Sequence, residues 1–432
     1  MIVRVLQTLM AFSGNAPPQL AVTRKLLEHG HEVRVLAHRA ARPRIEATGA
    51  EFIPIERAVP NFDISRRETD TLRDWEARSK FTAGIRLRKH ALLDFLGPIS
   101  EECVALLETD PADVILFDWM LSGAAVAAER AGVPSVALVH CPYPLPVAGA
   151  PPLFSGVGWM NGPLGTARNR LLNRTFARFS AAGLPRLNRV RTAHGLAPLR
   201  AWEEQLLGAD AIYVMTAAEL DFSSRGELPA NVHYVGPAFE PYSNEWHAPW
   251  PETNTDPLVV VSFSTSYMNQ GQLAQRVLDA VGGLPVRALL TKGPALVSEE
   301  LALPPNACAV DYVAHRAVLP HAALMVTHAG WQTINAALAE GVPLVCVPDG
   351  RDQPDNAARV VAAGAGVRVS KRSSAARLRR AIAAALDDPT LEAGAAAMAV
   401  ALGRSDGALT IAEGISSIGK ARSGENRGLR PG

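Results

Sequence analysis

Residues Tyr312 to Asn356, YVAHRAVLPHAALMVTHAGWQTINAALAEGVPLVCVPDGRDQPDN, contain the pattern that decides the fold. The apolar segment from Leu324 to Thr327 predicts a strand, His328 to Thr333 a turn rich in small residues, and the residues after it a helix. The apolar segment from Pro343 to Val347 predicts the next strand. Because a strand, a small-residue turn and a helix in this order direct backbone N–H groups toward a phosphate, this segment predicts a phosphate site.

The loop after the second of these strands adds a different chemistry. It carries Asp352 and Gln353, a carboxylate and an amide that suit the hydroxyl groups of a sugar. His328 and Thr333 bracket the first turn and supply one further hydrogen-bond donor each. The segment therefore predicts a diphosphate and a sugar bound side by side.

Other apolar runs show the same rhythm of strands and helices in both halves of the chain. Ile2 to Leu6, Val33 to Ala37, Asp113 to Phe117 and Val133 to Val139 predict strands in the first half, and Leu258 to Ser262 predicts one in the second. Apolar runs without alternation indicate strands buried on both faces, and strands that alternate with helices indicate parallel, doubly wound sheets. The predicted fold class is therefore α/β.

The length of 432 residues favours two such domains over one. We expect a first domain over residues 1–238, a proline-rich interdomain linker over 239–257 and a second domain over 258–390. A last helix is predicted over 391–418, followed by a disordered tail over 419–432.

Composition sets further bounds on location and partners. The net charge of +1 gives no indication of nucleic acid or an anionic membrane as a partner. The four scattered cysteines (Cys103, Cys141, Cys308 and Cys346) predict reduced core thiols rather than a disulfide framework or a metal site. With no apolar run long enough to cross a bilayer, a cytoplasmic protein is expected. Composition leaves the oligomeric state, a homodimer included, open.

The segment from Tyr312 to Asn356 resembles the donor-binding region of the family-one, nucleotide-sugar-dependent glycosyltransferases of the GT-B fold. Plant members of that family carry WAPQ, HCGWNS and a DQ pair, and bacterial natural-product and antibiotic tailoring members follow the pattern more loosely. The resemblance covers nearly the whole chain and is closest in the second half. It implies two Rossmann-like domains that face each other across a cleft, with a C-terminal helix that crosses back to the first domain.

The resemblance also implies roles for individual residues on the donor side. His328, Gly330 and Thr333 match the diphosphate contacts, and Asp352 and Gln353 match the pair that binds sugar hydroxyls. The other implied donor-binding residues are Thr265 and Ser266 at a phosphate loop, Val313 at the base, and Trp331 and Gln332 near the sugar and α-phosphate.

Two features bear on the donor and on cofactors. Members specific for uridine donors carry a Glu in the helix after the phosphate turn that binds the ribose hydroxyls, and this chain has Ala336 there. The absence of that carboxylate favours a thymidine diphosphate (TDP) sugar over a UDP-sugar. No DxD carboxylate pair is present, so we expect metal-independent transfer and no cofactor. The resemblance implies inversion at the anomeric carbon.

The expected catalytic base is missing from its usual place. In the family, a His in the loop after the first strand deprotonates the acceptor and an Asp after a later strand orients it. Asn15 occupies the His position here, and an amide is no base at neutral pH. Asp118 matches the second member of the pair.

Three hypotheses follow from Asn15. In the first, the acceptor is easily deprotonated (a phenol, an acid or a polarised N–H) and Asn15 only orients it. In the second, another group is the base, with Asp118, His140 and Asp63 as candidates. In the third, the chain is a catalytically silent partner that activates another transferase. A sugar-nucleotide epimerase is less favoured, because the expected carboxylates and basic residues are not found.

The acceptor is expected to be a hydrophobic natural-product aglycone joined through O or N. Two long interruptions of the strand–helix rhythm, near residues 61–96 and 142–165, contain or adjoin aromatic and apolar residues that suit such a ligand. The predicted acceptor-binding residues are Phe12, Trp75, Trp119, Tyr143, Phe154, Trp159 and Met160.

Overall fold

The computed structural model describes residues 2–10, 14–57, 64–242 and 246–428. Within these residues, thirteen strands form two separate parallel sheets. The strands are β1 (Arg4–Leu9), β2 (Glu32–Ala37), β3 (Glu51–Pro54), β4 (Val114–Asp118), β5 (Ser135–Val139), β6 (Ala211–Val214), β7 (Val232–Tyr234), β8 (Leu258–Ser262), β9 (Arg287–Thr291), β10 (Ala307–Val310), β11 (Leu324–Thr327), β12 (Leu344–Cys346) and β13 (Gly366–Arg368).

Helices connect most of these strands and cover both faces of each sheet. They are α1 (Ala16–Glu28), α2 (Arg42–Glu46), α3 (Lys80–Leu87), α4 (Asp94–Thr109), α5 (Gly123–Ala131), α6 (Gly162–Ala181), α7 (Leu184–Ala193), α8 (Glu204–Leu207), α9 (Gly271–Val281), α10 (Gly293–Leu296), α11 (His315–Val318), α12 (Trp331–Ala339), α13 (Gln353–Ala362), α14 (Ala375–Leu386), α15 (Pro389–Leu402) and α16 (Gly407–Gly428). A π-helical segment, Arg88–Leu93, joins α3 to α4.

The first sheet has the order β3-β2-β1-β4-β5-β6-β7. β1 lies between β2 and β4, with Val5 paired to both Val33 and Val114. These strands are buried on both faces, which explains their unbroken apolar sequences. From β1 the chain adds strands first on one side (β2, β3) and then on the other (β4 to β7). Ligands of such sheets bind beyond the carboxyl ends of the strands at this switch in strand order. Asn15 follows β1, Asp118 is the last residue of β4, and His140 follows β5, all at this edge.

The second sheet repeats this arrangement in the order β10-β9-β8-β11-β12-β13. Its switch in strand order lies between β8 and β11, where Ser262 pairs with Thr327. The loops after β8, β11 and β12 therefore emerge at one edge and carry the predicted phosphate and sugar residues. The prediction of two Rossmann-like, doubly wound parallel domains is confirmed.

The C-terminal region differs from its prediction in two ways. Residues 391–418 do not form one helix, because Gly403 to Asp406 separate α15 from α16. α15 packs on the second domain, whereas Ile411 and Ile415 of α16 join the apolar core of the first domain. α16 also continues to Gly428, past the predicted end of the helix at residue 418. The disorder predicted for residues 419–432 stays a prediction.

The linker contains no helix or strand in its described residues, 239–242 and 246–257. It is nevertheless packed, because Phe239, Trp246 and Trp250 contact the core of the second domain. All four cysteines are free thiols. Over the described ranges, no helix has the length and apolar character needed to cross a membrane.

Candidate active site

The carboxyl-terminal edges of the two sheets face each other across a cleft of about 2200 Å³. Ligand pockets in proteins usually hold roughly 300–1,000 Å³, so this cleft has room for two substrates at once. The first domain lines it with the loops after β1, β4 and β5, and the second domain with those after β8, β11 and β12. At the narrow point between the domains, a Cβ on Gly14 would lie 3.9 Å from Thr265 Oγ1.

The N-terminus of α12 opens into the cleft at Gly330, Trp331, Gln332 and Thr333. The first N–H groups of a helix lack partners within the helix, and its dipole favours negative charge at this end. A Cβ on Gly330 would lie 2.5 Å from His328 Nε2, so only glycine fits between the helix and that ring. The predicted phosphate turn therefore has its N–H groups and the His328 side chain together at the cleft.

His328 is kept neutral by its surroundings. The side chain is buried, and this burial lowers the pKa of His328 to about 4. Its Nδ1 lies 3.3 Å from Thr327 Oγ1. A neutral imidazole at pH 7 offers one N–H donor without the desolvation cost of a buried cation.

Thr265, Ser266 and Val313, the other predicted donor contacts, also line the cleft. The Ser266 N–H donates to Ser264 Oγ at 3.1 Å, which holds the loop after β8 in a tight turn. Ala336, on the second turn of α12, lies on the same wall. The structure thus brings together every residue that the sequence predicted for the donor.

Asp352 and Gln353 lie on the wall of the cleft but differ in how many hydrogen bonds they make within the protein. Asp352 accepts a hydrogen bond of 2.7 Å from Asn356, and burial raises the pKa of its carboxyl group despite this bond. Gln353 is fully engaged within the protein, because its Oε1 accepts from the Asp349 N–H at 2.9 Å and its Nε2 contacts Met268. Gln353 shapes the loop, and its contact with a sugar stays a prediction.

A carboxylate–imidazole pair occupies the opposite wall. His140 Nε2 lies 3.2 Å from both carboxylate oxygens of Asp118. Asp118 is fully buried and is held by the Gln19 side chain at 2.7 Å and by the Met120 N–H at 2.9 Å. With its Nε2–H donated to Asp118, His140 carries its lone pair on Nδ1, for which no hydrogen bond occurs within the described part of the chain. This geometry can accept a proton.

Asn15 does not belong to that pair. Its Nδ2 makes a long contact of 3.8 Å with Met120 Sδ, while its backbone carbonyl accepts from Gln19 at 3.1 Å. It lines the cleft at the N-terminus of α1. Of the other bases considered, Asp63 lies outside the described residues.

Several hydrogen bonds join the domains beside the site. Gln332 Nε2 donates to the His140 carbonyl oxygen at 3.0 Å. The guanidinium group of Arg351 donates two hydrogen bonds of 2.8 Å to the carboxylate of Asp74, and both side chains are largely buried. The donor-side loops are thereby fixed to first-domain segments on both sides of the cleft.

The predicted acceptor residues divide into three groups. Trp75, Trp119 and Phe154 line the cleft, with the Trp119 ring centroid 6.4 Å from that of His140. Tyr143, Trp159 and Met160 do not, contrary to the prediction: Tyr143 is buried with its N–H bonded to Asp221, Trp159 packs on Phe222, and Met160 faces solvent. Phe12 lies outside the described residues.

A larger apolar wall, which the sequence did not reveal, lies between α3 and α6. Phe81 of α3 meets Phe179 of α6 edge to face, with ring centroids 6.1 Å apart. The apolar side chains that line this part of the cleft are Phe81, Ile85, Leu87, Leu92, Leu172, Phe176, Phe179 and Trp202. The helical periodicity of α6 could have indicated one apolar edge, but nothing in it indicated which element lay opposite.

Two further residues of the site were missed. Gln19 holds both Asp118 and the Asn15 carbonyl, and its position as the first polar side chain after Pro17-Pro18 was the available signal. Arg351 adjoins the predicted sugar pair, yet its partner Asp74 is distant in sequence. Across the described residues, no group of three or more His, Cys, Asp or Glu side chains is arranged to hold a metal ion.

Comparison with known proteins agrees with this geometry. A family model described as "Erythromycin biosynthesis protein CIII-like, C-terminal domain" matches residues 275–404. The chain is 30% identical over 400 residues to the 4'-demethylrebeccamycin synthase of Lentzea aerocolonigenes, covering 91% of this chain and 94% of that protein.

Solved structures share the whole architecture. The glycotransferase of kitacinnamycin aligns with a TM-score of 0.73 and 21% identity over 96% of this chain and 99% of the other. The glycosyltransferase VinC, solved in complex with dTDP, aligns with a TM-score of 0.68 and 19% identity over 97% of this chain and 100% of the other.

The two facing Rossmann-like domains and the cleft between them match the GT-B fold of these structures. The chain belongs to the family-one glycosyltransferases that tailor natural products, of the antibiotic type.

Proposed function

We propose that this enzyme transfers a sugar from a nucleoside-diphosphate sugar, with TDP preferred over UDP, to a hydrophobic aglycone, with inversion at the anomeric carbon and with His140 as the base. The observation that carries the proposal is the His140–Asp118 pair, with Nε2 at 3.2 Å from both carboxylate oxygens, on the cleft wall opposite the N-terminus of α12. The cytoplasm is the proposed location, and no cofactor or metal is invoked.

His140 replaces the missing base from a neighbouring strand end. β4 and β5 are adjacent in the sheet, so the residues after them lie beside each other at the cleft edge. Asp118 therefore keeps the orienting role that the resemblance implied, while the imidazole comes from the β5 side instead of the β1 loop. An imidazole oriented by a buried carboxylate suits general-base catalysis at neutral pH.

In the proposed reaction, the acceptor O–H or N–H gives its proton to His140 Nδ1 as its oxygen or nitrogen bonds to the anomeric carbon. The bond between that carbon and the diphosphate oxygen breaks on the opposite face, and the electron pair leaves with the diphosphate. Asp118 stabilises the imidazolium that forms. The charge that develops on the leaving group faces the α12 N-terminus, the His328 N–H and the hydroxyl groups of Thr265 and Thr333.

The TDP preference rests on Ala336. Its methyl side chain lies on the cleft wall where a ribose-binding carboxylate would be needed, and it offers no hydrogen-bond acceptor. A 2-deoxyribose lacks the 2′-hydroxyl that such a carboxylate would bind. The VinC complex with dTDP supports this preference by analogy. A comparison of TDP-glucose and UDP-glucose in one assay tests it, and a strong UDP preference would contradict it.

The test of the base is transfer to phenolic, alcoholic and indolic acceptors by the wild type and by His140→Ala, Asn15→Ala and, as a matched control, His29→Ala at the exposed end of α1. We expect kcat to fall roughly 10²- to 10⁴-fold in His140→Ala, with TDP affinity unchanged, because a general base contributes in this range. His29→Ala should match the wild type.

The other outcomes separate the alternatives. Full activity in His140→Ala would remove His140 as the base, and a loss confined to Asn15→Ala would indicate an acceptor that Asn15 merely orients. TDP-sugar binding by the wild type without transfer to any acceptor would favour the auxiliary protein, which candidate partner transferases would then test.

A further inference from the structure

Charge is distributed very unevenly along this chain despite its balanced total. No Asp or Glu occurs between Glu129 and Glu203, whereas this stretch contains nine arginines. A second acid-free stretch, between Glu76 and Asp94, contains five Lys and Arg residues. These two stretches include α3 and α6, which lie together at the cleft.

The solvent side of α6 combines cations with protruding apolar side chains. Leu164 is 79% exposed and Leu171 is 65% exposed, and their seven-residue spacing places them on the same side of the helix. Arg174 lies beside them on this side and Arg170 at its margin, both exposed, and neither forms an ion pair with any residue that the structure describes. Phe81 of α3, 68% exposed, extends the surface across the Phe81–Phe179 contact.

The two acids that flank the α3 stretch in sequence are already paired. Glu76 binds Arg73 and Arg86, and Asp94 binds His90 and Arg186. We call the surface formed by Phe81, Leu164, Arg170, Leu171 and Arg174 the α3–α6 face.

The α3–α6 face adjoins the acceptor side of the cleft. Leu172, Phe176 and Phe179, on the other edge of α6, line the cleft together with Leu87 and Leu92. An apolar path therefore leads from this face toward His140. A ligand that enters here crosses a cationic, apolar rim before it meets polar groups.

We propose that the α3–α6 face binds the surface of an anionic lipid bilayer, with Phe81, Leu164 and Leu171 inserted below the headgroups and the arginines against the lipid phosphates. Cations interleaved with single protruding apolar side chains suit the bilayer interface, where Arg interacts with anionic lipid and apolar side chains enter the acyl boundary. An acidic protein would need a complementary acidic surface and would leave these three side chains without an apolar environment. Access of a lipophilic acceptor from the bilayer to the cleft rests on the proposed function; the binding itself does not.

The test is flotation of the full chain with phosphatidylcholine vesicles that contain or lack phosphatidylglycerol. The charge variant is Arg170→Gln/Arg174→Gln, and the insertion variant is Leu164→Ser/Leu171→Ser. None of these four side chains lines the cleft, so transfer to a water-soluble phenol should be unchanged in both variants. The matched controls are Arg377→Gln/Arg380→Gln on α14, also exposed and without ion pairs in the described part of the chain, and Val400→Ser on α15, which is 66% exposed.

We expect the wild type to float only with the anionic vesicles, and both the charge and the insertion variant to bind at least about tenfold more weakly, while the controls bind like the wild type. Fluorescence of Leu164→Trp should be quenched by brominated lipids.

The proposal is overturned by absence of vesicle binding, by equal losses in the controls, or by an insertion variant that binds normally. Retention on immobilised polyglutamate without vesicle binding would assign the face to an acidic protein instead. If the wild type shows no transfer activity with any acceptor, this counts against the proposed function and leaves the vesicle result intact.

Discussion

Gln332, on the donor-side helix α12, donates a hydrogen bond from Nε2 to the carbonyl oxygen of His140, 3.0 Å away on the acceptor side. This bond links a residue of the phosphate turn to the backbone of the proposed base. Gln332 is therefore one of the side chains that hold the two half-sites at their distance, together with Arg351. Correct separation of base and leaving group is what an in-line displacement requires.

Gln332→Met should therefore impair the relative positioning of the two bound substrates rather than the binding of either. Methionine keeps the length of the side chain and removes its N–H donor. We expect kcat to fall by about tenfold, as suits the loss of one hydrogen bond, with TDP affinity retained. Steady-state kinetics with both substrates varied, together with TDP titration, measure this. A variant with unchanged kcat would show that the bond does not position His140.

Asp118→Asn should reduce kcat by roughly 10²-fold or more, because an amide can present its N–H to Nε2 and favour the wrong tautomer of His140. The rate of transfer and the TDP affinity are the two measurements, and only the first should change. Gln19→Leu, which removes a second partner of Asp118, should give a smaller loss. Equal activity of wild type and Asp118→Asn would contradict the assignment of the pair.

Gly330→Ala should weaken TDP binding by at least about tenfold, because the new methyl group would lie 2.5 Å from His328 Nε2 and displace the ring. The backbone of Gly330 is not left-handed, with φ at −65°, so the effect comes from contact and not from conformation. Calorimetric titration with TDP measures it. Gly97→Ala, where the nearest atom is 4.0 Å away, is the control and should bind TDP normally.

Asp74→Leu should destabilise the protein by about 3–5 kcal/mol, because it leaves the buried guanidinium group of Arg351 without its carboxylate. The double variant Asp74→Leu/Arg351→Met should recover much of this loss, since it removes both charges. Urea unfolding monitored by fluorescence measures the free energies. Glu46→Ala breaks the exposed pair with Arg42 and should change stability by less than about 1 kcal/mol. A double variant as unstable as the single one would argue against charge burial as the cause.

Asp355 should make stability depend on pH. It lies on α13, buried against the loop at Ser155 and Gly156, and burial raises the pKa of Asp355 from 3.8 to about 6. The folded state therefore binds the proton more tightly than the unfolded state, and stability due to this group falls as pH rises from 3.8 through about 6.

Asp355→Asn removes this contribution. The variant should therefore become more stable relative to the wild type as pH rises through that range. Urea unfolding at several pH values measures the difference, in which the contributions of other groups such as His328 cancel. Asp387→Asn, at an exposed carboxylate, should show no such trend. A constant difference for Asp355→Asn would contradict the raised pKa.

The sequence could place most of the predicted donor-side residues together because most of them lie in one continuous segment. Strand, turn, helix and strand between Leu324 and Val347 carry their own local pattern, and their order determines where the next loop emerges. The strand from Leu324 to Thr327 was predicted to the residue. The fold class followed from the same local rhythm.

The acceptor side resisted prediction because its contacts join distant segments. Asp74 meets Arg351, and Phe81 meets Phe179, across long stretches of chain that have no shared sequence signal. Tyr143 and Trp159 were predicted to face the ligand because they are aromatic and lie in a long loop, yet both are used to pack that loop on Asp221 and Phe222. An aromatic residue looks the same in sequence whether it packs or binds.

The return of α16 to the first domain determines when that domain can be finished. Ile411, Ala412 and Ile415 fill its core beside Val3 and Val5. His31 Nε2 lies 2.7 Å from Ser416 Oγ. During synthesis the second domain is complete once residue 402 has emerged from the ribosome, but the first domain must wait until α16 has been made. The domain that is synthesised first therefore completes its core last. A translation product that lacks α16 exposes the apolar surface that this helix covers, and it would be the form that aggregates or is degraded.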